Sequence, residues 1–450
     1  MKKCVSVMIL FVTVFIALDI EAHRSTGLNF IDEDDKWSYH FQMTTVGQYH
    51  NKFRSAYSGE NSLRDSAETA ITLTATFFVG RKLWKGASIF LNPEMSGGSG
   101  VSGGKGIAGF TNGEAFRVGN PTPIVYFARF FLRQHFNFNG DTDSKEEGLN
   151  QCAENLKRHR LVLTLGKLSL ADIFDNNNLS HDPRLDFLNW GLMNNGAWDY
   201  AANTRGYTTS FIMEYYRFNW IFRGGISLIA NTVNGPNMEW DIAKGQGLTF
   251  ETEHKFNIAK REGSIRLLAY RNNSKTSSYE SIINQYRQSG NPDDLNVYAS
   301  DQYKGVKYGI GLNADQKLSN DIGCFSRIGW NDGKTATWAF AEIDQTASAG
   351  LKIAGTKWKR VHDNFGIAGV INGISKGHRE YLNLGGYGFM IGDGKLLRYG
   401  YEEIIEVFYS ARITNSLYVT GDYQFVKNPA YNIDRGPVHL FAVRIHFEFK

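Results

Sequence analysis

Long apolar runs are nearly missing from this 450-residue chain. Beyond the N-terminus no stretch of about 20 apolar residues occurs, which excludes transmembrane helices. Cysteine is scarce, with 3 in all. Cys4 falls in the N-terminal segment, and Cys152 and Cys324 could pair only if the fold brought them together, so there is neither a disulfide framework nor a zinc pattern. Only 8 prolines occur, and few positions therefore deny a β-ladder its backbone N–H. Neither sign of charge dominates: 49 Lys and Arg against 45 Asp and Glu leave +4, too diffuse for a nucleic-acid surface. Catalytic signatures are missing as well. The 11 His form no HExxH pair, and no GxSxG nucleophile elbow occurs.

What is present in excess is aromatic residues, at 14%, and glycine, at 47 residues. A mean hydropathy of −0.34 suits a soluble protein, but it equally suits a membrane barrel, in which only every second residue of a strand must be apolar. The first 22 residues read as a secretory leader. Lys2 and Lys3 supply the positive start, the run from Cys4 to Leu18 is apolar, and Ile20-Glu21-Ala22 offers cleavage after Ala22. Cys4 precedes the apolar run and so is not placed as a lipoprotein acceptor. Removal takes away Lys2 and Lys3 with Asp19 and Glu21, leaving the +4 unchanged. Residues 23–450 are then one barrel domain.

Alternation with a period of two recurs along most of that length. Trp37, Tyr39, Phe41 and Met43 alternate with Ser38, His40 and Gln42; Ile71, Leu73, Ala75 and Phe77 alternate with threonines. The last strand is the clearest: Phe441, Val443, Ile445, Phe447 and Phe449 share one face, and Leu440, Ala442, Arg444, His446 and Glu448 share the other. One lipid-facing and one lumen-facing side is the pattern of an antiparallel transmembrane barrel. Such runs number about 16 to 18, each about 9 to 13 residues. Asn257 to Gly263, Lys317 to Asp321 and Thr414 to Ser416 read as tight periplasmic turns. Gly140 to Lys157, Asp172 to Arg205 and Asn272 to Lys304 read as extracellular loops or pieces folded into the lumen. Trp37, Tyr49, Tyr207, Trp220 and Trp330 stand at strand ends, where interfacial girdles belong. A soluble propeller or pair of sandwiches would also alternate, but no repeat of roughly 40 to 50 residues is evident.

Two GxGxxG matches, Gly98 to Gly103 and Gly104 to Gly109, run on into Phe110-Thr-Asn-Gly-Glu114 without helical periodicity, so a lumenal or surface loop is expected there and not a dinucleotide site. Asp172, Asp175, His181, Asp182 and Asp186 offer oxygen ligands but no calcium-loop spacing, and read as a capped polar loop. The more useful constellation comes from parity. In Ile124 to His135, the outward set is Ile124, Tyr126, Ala128, Phe130 and Leu132, and Phe127, Arg129, Phe131, Arg133 and His135 point inward. Glu94, Glu214, Glu251, Glu253, Arg266, Glu406, Arg412 and Arg444 point inward on other strands. Charged rings and a narrow bore select solutes, and Arg and Glu can hold vicinal hydroxyls in bidentate fashion while aromatic rings take the apolar face of a sugar. For any single residue, holding the wall and its water is the plainer role.

Several stretches resemble the carbohydrate-selective porin family of the OprB type. They are Leu165-Gly-Lys-Leu-Ser169 with Asp172-Ile-Phe-Asp175 and Asn177; His181-Asp-Pro-Arg184; Phe187-Leu-Asn189; Gly196-Ala-Trp-Asp199-Tyr200; Gly385-Gly-Tyr-Gly-Phe389 with Gly392-Asp-Gly394; Asn428-Pro-Ala-Tyr-Asn432 with Asp434-Arg-Gly-Pro437; and Arg444-Ile-His446. The similarity runs from about Trp37 to the end. It implies a barrel of 16 strands with infolded loops in the outer membrane of a Gram-negative bacterium, and facilitated diffusion of small sugars past Arg and Glu side chains. Passive passage needs no cofactor, nucleotide or metal, and no catalysis. Partners on this reading are small sugars, outer-membrane lipid and the barrel-assembly machinery, with monomer and trimer both open. A general or anion-preferring porin and an outer-membrane lipase or protease are the competing readings.

Overall fold

The computed structural model describes residues 36–115 and 122–449. The expected leader, residues 1–22, lies outside them. The strands are β1 (Trp37–His50), β2 (Glu68–Trp84), β3 (Ala87–Gly97), β4 (Ile124–Asn137), β5 (Thr142–Lys145), β6 (Glu154–Lys157), β7 (Arg160–Leu168), β8 (Thr208–Arg217) and β9 (Trp220–Leu228). They continue with β10 (Gln246–Ile258), β11 (Arg261–Ser274), β12 (Gly305–Lys317), β13 (Ile322–Asn331), β14 (Gln345–Gly355), β15 (Arg360–Gly373), β16 (Glu402–Arg412), β17 (Leu417–Lys427) and β18 (Val438–Phe449). All but β5 and β6 join one closed antiparallel barrel of 16 strands, and β5 and β6 form a separate two-stranded hairpin.

Closure follows from the alternation read in β18. It pairs with β1 so that Thr44 faces His446 and Val46 faces Arg444, and Thr44 Oγ1 meets His446 Nδ1 at 2.8 Å across the seam. Both edges of every barrel strand are thereby paired, as a lipid environment requires. Among the described residues no helix is long and apolar enough to cross a membrane. Outward side chains such as Val443, Leu267 and Ile328 are exposed, while their inward neighbours are buried. Trp37 and Trp220 stand near one barrel end and Tyr49 and Trp330 near the other, all exposed. Tyr207 does not join them: it is buried inside, so its assignment to a girdle is corrected.

One end of the barrel carries short turns. Ala259 and Lys260, at φ 50° and 64°, make the two-residue turn between β10 and β11 in the left-handed geometry that matches strand twist. The turn from β2 to β3 needs Gly86, at φ +77°, because a Cβ there would lie 2.4 Å from the His135 carbonyl oxygen. The other end carries the long loops. Residues 138–159, which include the Gly140 to Lys157 stretch, break the expected division: they leave the short-turn end, not the long-loop end. The physical reason is strand count. β4 and β7 run down and up as neighbours, so whatever joins them must sit with the tight turns.

The core is inside out. Loops fill the lumen, and the main apolar cluster there gathers Trp190, Trp198, Tyr200, Phe340 and Tyr431 from loops between strands. The glycine-rich stretch belongs to this filling. Gly106, at φ +81°, packs so closely that a Cβ would meet Leu63 N at 1.8 Å, and Ile107 and Ala108 beyond it are buried.

Candidate functional site

Within the lumen lies a cavity of about 470 Å³, bounded by the β4 wall, by residues 169–207 folded inward from the long-loop end, and by Phe110, Glu114 and Phe340 from other loops. Arg129 and Arg133 reach it from β4 because alternation points them inward. Arg129 holds Asp172 with both prongs of its guanidinium, Nε to Oδ2 and Nη2 to Oδ1, each at 2.6 Å. The planar fork matches a carboxylate in this way, and the pair is charge-assisted. Burial works to raise the Asp172 carboxyl, but the Arg129 charge and its hydrogen bonds hold it below the ordinary value. The Arg129 guanidinium also sits 5.2 Å from the Tyr207 ring centre.

A second arginine comes from the loop. Arg184 donates to Gln42 Oε1 at 2.9 Å, to Glu114 Oε1 at 3.2 Å and to Glu94 Oε2 at 3.3 Å. Burial works against its charge, and Glu114 and Glu94 more than offset that and raise its pKa. Glu94 itself stands behind the cavity surface. It accepts from Thr76 Oγ1 at 2.5 Å, Tyr126 OH at 2.6 Å and Tyr207 OH at 2.9 Å. Aromatic rings line the same cavity. Trp190 stacks on Phe340 with centroids 4.7 Å apart, Tyr200 lies 4.6 Å from Phe340, and Phe110 meets Trp190 edge-on at 5.7 Å. Phe131 adds a ring from the β4 side, stacked on Phe90 at 5.0 Å. The cavity lining thus combines fixed charges and hydrogen-bonding groups with flat rings.

Of the residues expected to line the lumen, Arg129, Phe131 and Arg133 border this cavity, and Glu94 supports it from behind. Phe127 does not point inward. It is 58% exposed on the outer face, whereas Tyr126, assigned outward, turns in to Glu94. The cause is a bulge: Asn92 pairs with Arg129 but Pro93 pairs with Phe127, so Ala128 is an extra residue and parity inverts above it. Proline, which cannot donate to the ladder, stands where the register slips.

Of the remaining charges, Glu251, Glu406 and Arg444 hold the infolded loop, and the others pair along the wall or at a strand end. Register places Glu214 and Glu251 on either side of Arg223, which holds Glu214 at 3.1 Å, Glu251 at 2.7 Å and Glu253 at 2.7 Å. Arg266 continues the chain to Glu253 at 3.2 Å and Asp315 at 2.7 Å. Glu251 also accepts from Asp175 N at 2.7 Å. Glu406 accepts from Leu188 N at 2.5 Å and Asn189 N at 2.9 Å, and Arg444 donates to Pro183 O at 2.6 Å and Asp186 O at 2.7 Å. Arg412 sits at the strand end and bonds the carbonyls of Thr414 and Asn415 in the following turn. The acidic loop cluster is likewise dispersed: Asp172 goes to Arg129, Asp175 to Arg327 at 3.1 Å, and Asp186 to Lys352. Cys152 and Cys324 are not bridged.

Sequence reasoning missed Arg184, Arg205, Tyr207, Trp190 and Phe340, which sit in or beside loops where no alternation applies. It also missed Arg223 and Arg327, which the same parity rule applied to β9 and β13 would have found.

A family model described as "Carbohydrate-selective porin, OprB family" matches residues 60–449. No curated protein sequence matches the chain. Among solved structures, the high-pH form of Pseudomonas putida OprB is similar with a TM-score of 0.67 at 15% identity, over 92% of this chain and 94% of that one. Its low-pH form is similar at TM-score 0.47 and 12% identity, over 92% and 93% of the two chains. The outer membrane channel DcaP of Acinetobacter baumannii is similar at TM-score 0.49 and 8% identity, over 92% and 97%. At these identities the first likeness bears on the fold alone.

Proposed function

Because the chain belongs to the carbohydrate-selective porin family of the OprB type, and is a non-enzymatic outer-membrane channel, we propose that mono- and disaccharides cross it by facilitated diffusion through this cavity. The carrying observation is that the Arg129–Asp172 and Arg184–Glu114 pairs and the Trp190–Phe340 stack line one cavity. A pyranose offers hydroxyls around its edge and C–H groups on its faces. Paired charges exchange hydrogen bonds with the edge, and flat rings cover the face. Because Arg129 and Arg184 already hold carboxylates, neither is a strong ion trap, and binding to them stays weak enough for release.

Arg129, Arg133 and Phe131 are the proposed contact residues, with Glu94 positioning Arg184 and Tyr207. Glu214, Glu251, Glu253, Arg266, Glu406, Arg412 and Arg444 act on the sugar indirectly, through the loop and turns they hold. The outer apolar band meets outer-membrane lipid, and insertion calls on the barrel-assembly machinery. Liposome swelling across sugars of increasing size tests the reading. Fast entry of monosaccharides, slower entry of disaccharides, and sugar block of ion current are expected. Strong anion selectivity in a salt gradient with no block by any sugar overturns it.

A further inference from the structure

The connection between β4 and β7 departs from every other turn at its end of the barrel. Its stalk is the β5–β6 hairpin, with Thr142 opposite Lys157 and Lys145 opposite Glu154. Its head, residues 146–153, turns back into the lumen. Gly148 and Gln151 exchange both backbone hydrogen bonds at 3.0 Å, and Asn150 between them adopts φ +54°, so the head ends in a tight tip. Leu149, Asn150 and Gln151 of that tip border the same cavity as Arg129 and Arg133.

The head is fixed in place. Arg133 Nη1 donates to Asn150 O at 3.0 Å, His40 Nε2 lies 3.4 Å from Glu147 Oε1, and His135 Nε2 lies 3.6 Å from Glu154 Oε1. Cys152 and Leu156 are buried, and Cys152 joins the lumenal cluster with Phe90 and Phe131. β2 makes room for it: a Cβ on Gly80 would stand 3.3 Å from Cys152 Sγ. Leu149, by contrast, keeps 36% of its surface exposed.

We propose that the Gly148–Gln151 tip is a second selectivity element, a floor raised into the bore from the periplasmic side, which sets the largest sugar the channel passes. This rests on the porin reading above. The infolded loop of residues 169–207 constrains the cavity from outside, and the tip bounds it from below. Residues 149–151 carry no charge, so the tip discriminates by size and by the hydrogen bonds of its amides, not by ion attraction. Arg133 ties the tip to the β4 wall, since its guanidinium touches the tip carbonyl and lies 5.2 Å from the Phe131 ring.

Replacing residues 139–158 by Asn-Gly closes β4 onto β7 with a two-residue hairpin turn. Planar-bilayer recording should then show conductance raised about twofold or more, since bore width sets ion flow. Liposomes should swell in a trisaccharide that the parent excludes. A deletion variant that inserts with unchanged conductance and unchanged size cut-off overturns the proposal. If that variant does not insert, Leu149→Trp decides: it keeps the hairpin and should abolish disaccharide entry while monosaccharides still pass, and unchanged entry of both overturns the floor. A parent channel that conducts ions but swells in no sugar refutes the carbohydrate reading instead, and the conductance comparison still judges the tip.

Discussion

Guanidiniums inside this lumen differ in what they leave for a solute. Arg129 and Arg184 hold carboxylates at the cavity surface and so offer a solute paired charge. Arg327 and Arg444 are buried away from the cavity and bond loop carbonyls, at 2.7 Å to Leu192 O and 2.6 Å to Pro183 O, with Arg327 also holding Asp175. Removing Asp172's charge should therefore unmask Arg129. Asp172→Asn is expected to raise the anion-to-cation permeability ratio by roughly two- to tenfold, read as a reversal-potential shift in a salt gradient, with the barrel still folded. Arg133→Ala removes the tether to Asn150 and should increase disaccharide flux. It costs about 1 kcal/mol for the lost hydrogen bond and leaves the folded-barrel shift on an unheated gel in place. Alternation revealed Arg129 and Arg133 because strands display their side chains in strict turn. It could not reveal Arg184 or Trp190, whose directions depend on how a loop folds.

At the scale of the strand, neighbours on β18 carry opposite duties. Ile445 faces outward between Thr45 and Val419, and Arg444 faces inward to the loop. Ile445→Arg should impair insertion by about 2–4 kcal/mol if near the bilayer midplane, measured as the folded fraction recovered in lipid vesicles. Arg444→Met should insert normally, yet release the Pro183 and Asp186 carbonyls, seen as protease cleavage within residues 169–207 of the reconstituted channel. Equal insertion of both variants would reverse the assignment of faces. β4 shows where such assignments fail. Above the bulge opposite Pro93 the faces exchange, so Tyr126 serves Glu94 and Phe127 meets lipid. A period-two reading carries no memory of an inserted residue.

At the scale of the whole molecule, the long loops are latched to one another as well as to the wall. Asp344, in the loop between β13 and β14, takes Ser375 N at 2.8 Å and His378 Nδ1 at 3.1 Å, and lies 3.6 Å from Lys307 Nζ on β12. Burial would raise its carboxyl, but Lys307 and then His378 prevail and hold it at about 2, against an ordinary 3.8. A depressed carboxylate stabilises the fold fully above its unfolded value and ceases to do so as pH falls through its folded value. The contribution, on the order of 2 kcal/mol, should be constant above about pH 4 and fade between about pH 4 and about pH 2. Thermal unfolding in detergent over that range checks it, and Asp344→Asn should flatten the dependence.

From its amino acids alone, this chain determined a lipid-facing side, a wet side, a strand count of about 16 to 18 and the family resemblance. These follow from alternation and from short local motifs, which survive whatever the loops do. Only the tertiary structure decided which inward charges border the lumenal cavity. Barrel closure brings residues far apart in the chain within hydrogen-bonding reach, so the loops bury Glu251, Glu406 and Arg444 and leave Arg129 and Arg133 beside open space. It also placed the 138–159 hairpin at the end of the tight turns, because antiparallel order, and not loop length, fixes the side on which a connection emerges.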